Sequence, residues 1–455
     1  VDKSSVLYLF SLERLGIKLG LEQIRGLVDA LGRPDHAYPS IVVAGTNGKG
    51  SVVAMVERGL RAAGHRTGRF TSPHLVMLQE RFAIDGRPID SRDLDRLAGR
   101  VRTAAETLAA PPTFFEATTA LALEAFREAA VDVAVLEVGL GGRLDATNVV
   151  TPLAVAITAI DFDHQELLGP TIDAIAREKA GVIKPGAVVV LAANPPVVRD
   201  IVQEACAAAG ARFVDAAAGV AVRADMTGGR ARLTLETPCR RYDALTLALR
   251  GRHQIDNAIA AIRLLEEMPR LKPRPTSPWP APPRPPHDGV APSRPPLPRP
   301  AQPSVGPGAI RAAVEAVEWP GRLQLVDWRG HGVEVLIDGA HNPAGARALA
   351  SYVTETYGRP LPFVVGILRD KPLAALLAEL APVASHFVVT APDTPRAAAP
   401  SELAAAARGV VSRRGIPVID VPRPVEALGR AATFGSPIVV AGSLYLAGEI
   451  LAEIS

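Results

Sequence analysis

Short apolar runs rich in β-branched residues, separated by Ala/Leu-rich stretches of helical period, recur along this 455-residue chain and constrain it to a layered α/β architecture. Ser40–Ala44, Val131–Val138, Ala154–Ala159 and Ala187–Ala192 are such runs in the first half. They are mostly apolar rather than alternating, so they read as strands of a mostly parallel sheet with both faces covered. Ser51–Ala63 and Asn257–Glu267 read as helices, and Arg223–Glu236 as an antiparallel segment. Further strands are expected at Val333–Ile337, Phe363–Ile367, Phe387–Thr390, Val418–Val421 and Ile438–Ala441, with helices between them such as Ala344–Thr354 and Pro400–Arg408. The pattern predicts two α/β units. The first is a P-loop-type domain with a mostly parallel sheet over residues 1–268, and the second a smaller Rossmann-like domain over 309–455.

Residues 269–308 break the pattern. Pro, Arg, Ala and Ser dominate there, and such a stretch cannot bury enough apolar surface to fold. It reads as a disordered linker or insertion, with a partner-docking PxxP segment as the alternative. Between Arg270 and Pro300 six Lys and Arg face Asp288 alone, so this stretch more than accounts for the net charge of +3 and the rest is slightly acidic. That excludes a basic nucleic-acid-binding surface on the folded part. No apolar run approaches the ~20 residues of a membrane span, and no secretory signal is visible at the start. Cys206 and Cys239 read as two buried thiols of a reducing compartment. The expectation is a cytoplasmic protein whose partners are neither nucleic acid nor membrane.

The chemistry begins where Val42-Val43-Ala44 runs into Gly45-Thr46-Asn47-Gly48-Lys49-Gly50-Ser51 and a helix follows. A strand, a glycine-rich loop and a helix N-terminus together cradle phosphates, because glycines let successive backbone N–H groups converge on an anion. Lys49 supplies a cation for the terminal phosphates and Ser51 a hydroxyl for Mg²⁺. The spacing departs from the usual phosphate-loop pattern, since Gly50 separates Lys49 from Ser51. Glu137 ends an apolar strand ahead of Gly139-Leu140-Gly141-Gly142, at the sheet edge where ligands bind in such folds. His164 follows another strand between candidate capping acids Asp161 and Asp163, and reads equally as a structural histidine or a ligand. The combination points to an enzyme that consumes ATP.

Eight blocks then occur in order: Gly45–Ser51, Thr71–Leu75, Phe114–Thr118, Glu137–Asn148, Asp163–Gly169, Arg177–Gly186, Trp319–Gln324 and Asp338–Pro343. Together they resemble the folylpolyglutamate synthase/dihydrofolate synthase family of the Mur ligase superfamily. The resemblance runs from about Lys18 to Glu449, and the Pro-rich stretch has no counterpart in it. It implies ATP-driven amide formation: a carboxylate of dihydropteroate or of a folate's glutamate tail takes the γ-phosphoryl group, and L-glutamate attacks the acyl phosphate. It implies that Asn47, Gly48, Lys49, Gly50 and Ser51 hold the triphosphate, with Asn257 toward adenine, Asp338 toward the ribose and Arg322 on the transferring phosphoryl group. Ser51, Ser72, Glu137 and His164 are implied as Mg²⁺ ligands, two ions being implied, with Lys179 carried as a carbamate that holds the second. His341 is a candidate for orienting the acyl phosphate or glutamate. Thr113, Phe114, Phe115 and Glu116, with Leu144, Asp145 and Ala146, match segments that line the folate pocket. A monomer is implied. Two rivals stand at this point: another ligase of the superfamily acting on a cell-wall nucleotide precursor, and a nucleotide-binding regulator without activity.

Overall fold

The computed structural model describes residues 4–16, 18–268 and 305–454. Eight strands form the first sheet: β1 (Ser40–Ala44), β2 (Thr67–Phe70), β3 (Phe82–Ile84), β4 (Arg87–Pro88), β5 (Val133–Glu137), β6 (Ala154–Ile157), β7 (Val188–Leu191) and β8 (Arg212–Asp215). Their order is β4-β3-β2-β5-β1-β6-β7-β8, parallel from β2 to β8 with the short β3 and β4 antiparallel at one edge. Every residue of β1, β5, β6 and β7 is buried, as their unbroken apolar composition demands of strands covered on both faces.

Each face of that sheet has its own core. On one, the helix Phe114–Glu128 packs with the N-terminal helices around Phe70, Phe82 and Phe126. On the other lie the helices Lys49–Ala62, His253–Glu267 and Pro307–Glu315. Gly59 lets these last three meet: a Cβ there would stand 2.6 Å from Leu265 and 3.1 Å from Ala313. The segment read as antiparallel is a three-stranded meander of β9 (Ala221–Thr227), β10 (Arg230–Glu236) and β11 (Arg241–Thr246).

The second unit carries β12 (Gln324–Trp328), β13 (Val333–Ile337), β14 (Leu361–Val365), β15 (Ala384–Val389), β16 (Val418–Asp420) and β17 (Ile438–Ala441) in the order β12-β13-β17-β14-β15-β16. Only β12 runs antiparallel. The α/β class with mostly parallel sheets is therefore as expected.

Three details differ from the sequence reading. The phosphate-loop helix starts at Lys49 rather than Ser51, because Lys49 and Gly50 already wind into its first turn. A boundary at residue 309 cuts through the helix Pro307–Glu315. That helix buries Ile310, Ala313 and Val314 against the first unit's core, and Val305 is already 1% exposed, so the first unit reclaims the chain before the second begins. Composition could not mark this, since the helix itself opens on Pro307. Cys239 is only partly buried and receives a guanidinium N–H from Arg263 at 3.6 Å, whereas Cys206 is buried in apolar surroundings that push its thiol up to about 11. Residues 269–304 of the Pro-rich stretch, and with them most of the linker reading, lie outside the described residues. Among the described residues no helix is long and apolar enough to cross a membrane.

Candidate active site at the mouth of the phosphate loop

The loop after β1 is shaped by two glycines that no other residue could replace. Gly45 has φ +142° and Gly48 φ +89°, and a Cβ on either would collide with the side chain of Thr158 or Asn257 respectively. The amides of Thr46 and Asn47 bond the carbonyl of Ala159 at 2.9 and 3.2 Å, tying the loop to the end of β6. Lys49 folds back across the loop, donating to the carbonyls of Gly45 and Thr46 at 3.2 Å each. An ammonium held only by neutral carbonyls is free to turn toward an incoming phosphate.

Neighbouring strand ends supply the rest. Glu137, at the end of β5, is 6% exposed and accepts from the backbone N–H of Ser72 at 3.1 Å. Burial raises its pKa, against the opposing pull of Lys49. It has no ion-pair partner within 4 Å among the described residues, which suits a carboxylate that meets a cation only when nucleotide arrives. Ser51 accepts from Gln254 at 3.3 Å, and Gln254 in turn receives Asn257 at 3.0 Å, so the helix His253–Glu267 braces the loop from one side. Asn257 sits inside that helix, not at its cap.

Lys179 comes from the last turn of the helix Ile172–Ala180. It is 4% exposed and donates to the carbonyl of Gly45 at 2.8 Å. Burial, reinforced by the nearby Lys49, lowers its amine from 10.5 to about 7. Its neighbour Glu178 offers it no charge, since Glu178 meets Arg143 at 2.8 Å.

The second unit closes the other side. Asp338, after β13, accepts from the amides of Leu323 and Ala340 at 2.9 Å each, and burial raises its pKa despite Arg322 nearby. His341 bonds the carbonyl of Gly339 through Nδ1 at 2.8 Å, and burial lowers it to about 4, so it is a neutral imidazole. Arg322 donates to the carbonyl of Gly321 at 3.2 Å, its one side-chain hydrogen bond among the described residues. His164 holds a left-handed backbone at φ +50°, and burial lowers its pKa as well.

All these residues border one cavity of about 370 Å³ between the two units: the loop, Ser72, Glu137, His164, Lys179, Asn257, Arg322, Asp338 and His341. The seven residues matched to a folate pocket do not line it. They sit on the face of the first sheet that the helix Phe114–Glu128 covers. Thr113 and Glu116 bond each other as that helix's capping box. Both Asp145 oxygens brace the glycine-rich turn, through Leu140 and Thr147. Phe115 packs on Phe70 with ring centroids 5.8 Å apart. Phe114 is half-buried, stacked on Phe10 at 6.0 Å and under the Arg81 guanidinium at 5.1 Å.

Two contributors escaped the sequence reading. Lys371, 8% exposed, reaches from the second unit to Asp163 at 2.6 Å and lies 3.3 Å from His164. Asn342 donates to Asn47 at 3.0 Å and to Asp163 at 3.3 Å. Burial alone would raise the Asp163 pKa, but Lys371, His164 and His341 hold its carboxyl well below the usual range. Asn342 lay within a block already singled out; Lys371 had no pattern to betray it, since its partner is 208 residues away. Among the described residues no three His, Cys, Asp or Glu side chains gather as a metal centre. The donors at hand are hydroxyls, one carboxylate and one imidazole, a sparse set of the kind Mg²⁺ accepts when phosphates and waters complete its shell.

Comparisons with known proteins agree with this geometry. The Mur ligase middle domain family matches residues 43–265, and the Mur ligase glutamate ligase domain family matches residues 321–444. The chain is 37% identical over 407 residues to a dihydrofolate synthase/folylpolyglutamate synthase of Mycobacterium tuberculosis, covering 85% of this chain and 77% of that one. It is 33% identical over 453 residues to a folylpolyglutamate synthase of Lacticaseibacillus casei, covering 98% and 97%. The structure of a Mycobacterium tuberculosis folylpolyglutamate synthase complexed with ADP superimposes with a TM-score of 0.86 at 32% identity, over 100% of this chain and 99% of that one. A nucleotide loop facing a second α/β unit, over a full-length likeness of this degree, makes this chain a member of the folylpolyglutamate synthase/dihydrofolate synthase family of Mur ligases.

Proposed function

We propose that this chain ligates L-glutamate to dihydropteroate, to the glutamate tail of a reduced folate, or to both, using ATP and passing through an acyl phosphate. The cavity shared by the two units carries this reading, because it brings the phosphate loop, a low-pKa lysine and an arginine to one point. The amides of Asn47–Gly50 and the helix N-terminus receive the triphosphate, and Lys49 swings from its carbonyls onto the terminal phosphate. Arg322 stabilises the charge that develops as the phosphoryl group moves to the acceptor carboxylate. Asn257 borders the adenine and Asp338 the ribose. His341, neutral at pH 7, can orient the acyl phosphate or the incoming amine without carrying a charge that repels it.

Ser51, Ser72, Glu137 and His164 would hold Mg²⁺, whose contribution is to neutralise phosphate charge and align the reacting oxygens. A second ion needs another anion. The Lys179 amine, lowered to about 7 and so about half neutral at pH 7, can add to CO₂ and release a proton to form a carbamate at the cavity wall. Phe114 is the residue best placed to stack on a pterin, while Thr113, Phe115, Glu116, Leu144, Asp145 and Ala146 shape the wall behind it. The slightly acidic folded body supports a cytoplasmic enzyme with small molecules as its partners.

The test incubates purified chain with Mg²⁺, ATP, labelled L-glutamate and either dihydropteroate or tetrahydrofolate carrying one glutamate. One glutamate added per phosphate released is the expected result. Absence of glutamate-dependent phosphate release with both acceptors would overturn the assignment.

A further inference from the structure

A second and larger cavity, about 1050 Å³, opens from the same point and follows the helix Lys49–Ala62, on the other side of the first sheet from Phe114. It shares Ser72, Glu137 and Arg322 with the nucleotide cavity. From there it runs along the outer side of the helix Lys49–Ala62, under the segment Ala316–Pro320.

Its wall is rich in arginines with little to do. Arg69 lies over the Trp319 ring at 5.0 Å, its Nε has no hydrogen-bond partner, and its one carboxylate contact within 4 Å among the described residues is Glu57 at 3.9 Å. Among the described residues Arg58 reaches only the carbonyl of Ala316, at 3.3 Å. Exposed Arg66 has no side-chain bond among the described residues. The acids of the same wall are, by contrast, mostly occupied. Glu57 is held by Arg61 and Thr67, Glu80 by three successive backbone amides, and Asp85 by the amide of Thr67. Only Glu318, at the exposed rim, is free of such a role among the described residues. The cavity therefore presents unspent guanidinium groups to whatever enters it, which selects for a ligand bearing several carboxylates.

This inference rests on the glutamate-ligase reading above and extends it. The reacting carboxylate must always stand at the phosphate loop. A short acceptor can span from there to Phe114 on one face of the sheet. An acceptor lengthened by several γ-linked glutamates cannot keep both its pterin and its terminal carboxylate in those places, so the intervening chain needs further room. We propose that the arginine-lined cavity is the tail channel: it receives the γ-glutamyl chain of longer acceptors and pairs Arg58, Arg66 and Arg69 with its free α-carboxylates.

The experiment compares wild type with the Arg58→Gln/Arg66→Gln double variant, and separately with Arg69→Gln, checking each fold by thermal melting. Initial rates are measured with dihydropteroate, which has no tail, and with tetrahydrofolate carrying three glutamates. The double variant should raise KM for the triglutamate acceptor on the order of tenfold, as expected for two partly solvated charge contacts, with kcat little changed. KM for dihydropteroate should stay within about twofold, since no part of that acceptor reaches the channel. The selective effect should weaken with added salt. Equal effects on both acceptors, or none on either, would overturn the proposal while leaving the ligase reading intact. A wild-type chain inactive on both acceptors would remove both readings together.

Discussion

Lys179→Met should make the protein more stable and inactive at once. The wild-type amine is lowered from 10.5 to about 7 because folding takes it out of water, with Lys49 close by. Above pH 10.5 both folded and unfolded chains carry it neutral, and the shift has no effect on stability. As pH falls below 10.5 the unfolded chain gains a proton that the folded chain refuses, so the fold is progressively penalised until the folded amine itself protonates near pH 7. The penalty works out at ~4 kcal/mol at pH 7 and ~2 kcal/mol at pH 9. Methionine fills similar volume without that penalty, but forfeits the bond to the Gly45 carbonyl, about 1 kcal/mol. The variant should thus gain ~3 kcal/mol at pH 7 and ~1 kcal/mol at pH 9. Urea denaturation followed by circular dichroism at the two pH values reads this directly. Added bicarbonate should raise the wild-type midpoint by mass action on the carbamate and leave the variant unmoved. Ligase activity should vanish in the variant. A variant that is less stable than wild type, with a difference that ignores pH, would show that Lys179 is a charged and well-paired residue and would refute the reasoning.

Three further perturbations follow from the same geometry. Lys49→Ala should abolish turnover, because nothing else in the loop brings a cation to the terminal phosphate; near-normal rates of glutamate-dependent phosphate release would reject that role. Lys371→Met takes the ammonium from the half-buried Asp163 carboxylate, which keeps its bond from Asn342, and should cost ~2 kcal/mol at pH 7. Because Asp163 is held below its ordinary range, the wild-type advantage exists above about pH 4 and fades as acid protonates the group, so denaturation midpoints of the two proteins should converge below pH 4. Gly48→Ala places a Cβ at φ +89° against Asn257 and should destabilise the loop by ~1–2 kcal/mol, with loss of ATP retention in equilibrium dialysis; unchanged retention would mean the loop has another conformation in solution.

Local order was legible along the chain, because it depends on patterns spanning a few residues. The unbroken apolar runs at β1, β5, β6 and β7 could only be doubly covered strands. The glycines at 45 and 48, set between a strand and a helix, could only make a tight anion-binding turn. Glu137 was visible as a candidate ligand for the same reason, since it ends the apolar strand β5.

What depends on distant residues could be decided only by the folded chain. The burial that lowers Lys179 arises from its position against Gly45, 134 residues earlier. The Lys371–Asp163 pair joins two units that no local pattern relates. The helix Pro307–Glu315 follows a Pro-rich stretch and opens on a proline, yet packing on Gly59 and Leu265 assigns it to the first unit. Free arginines differ from occupied ones only through what stands within reach of them, so the character of the channel is invisible in the composition of its wall. Sequence sets the chemistry a residue can perform, whereas the solvent it loses and the charges it meets are set by the rest of the molecule closing around it.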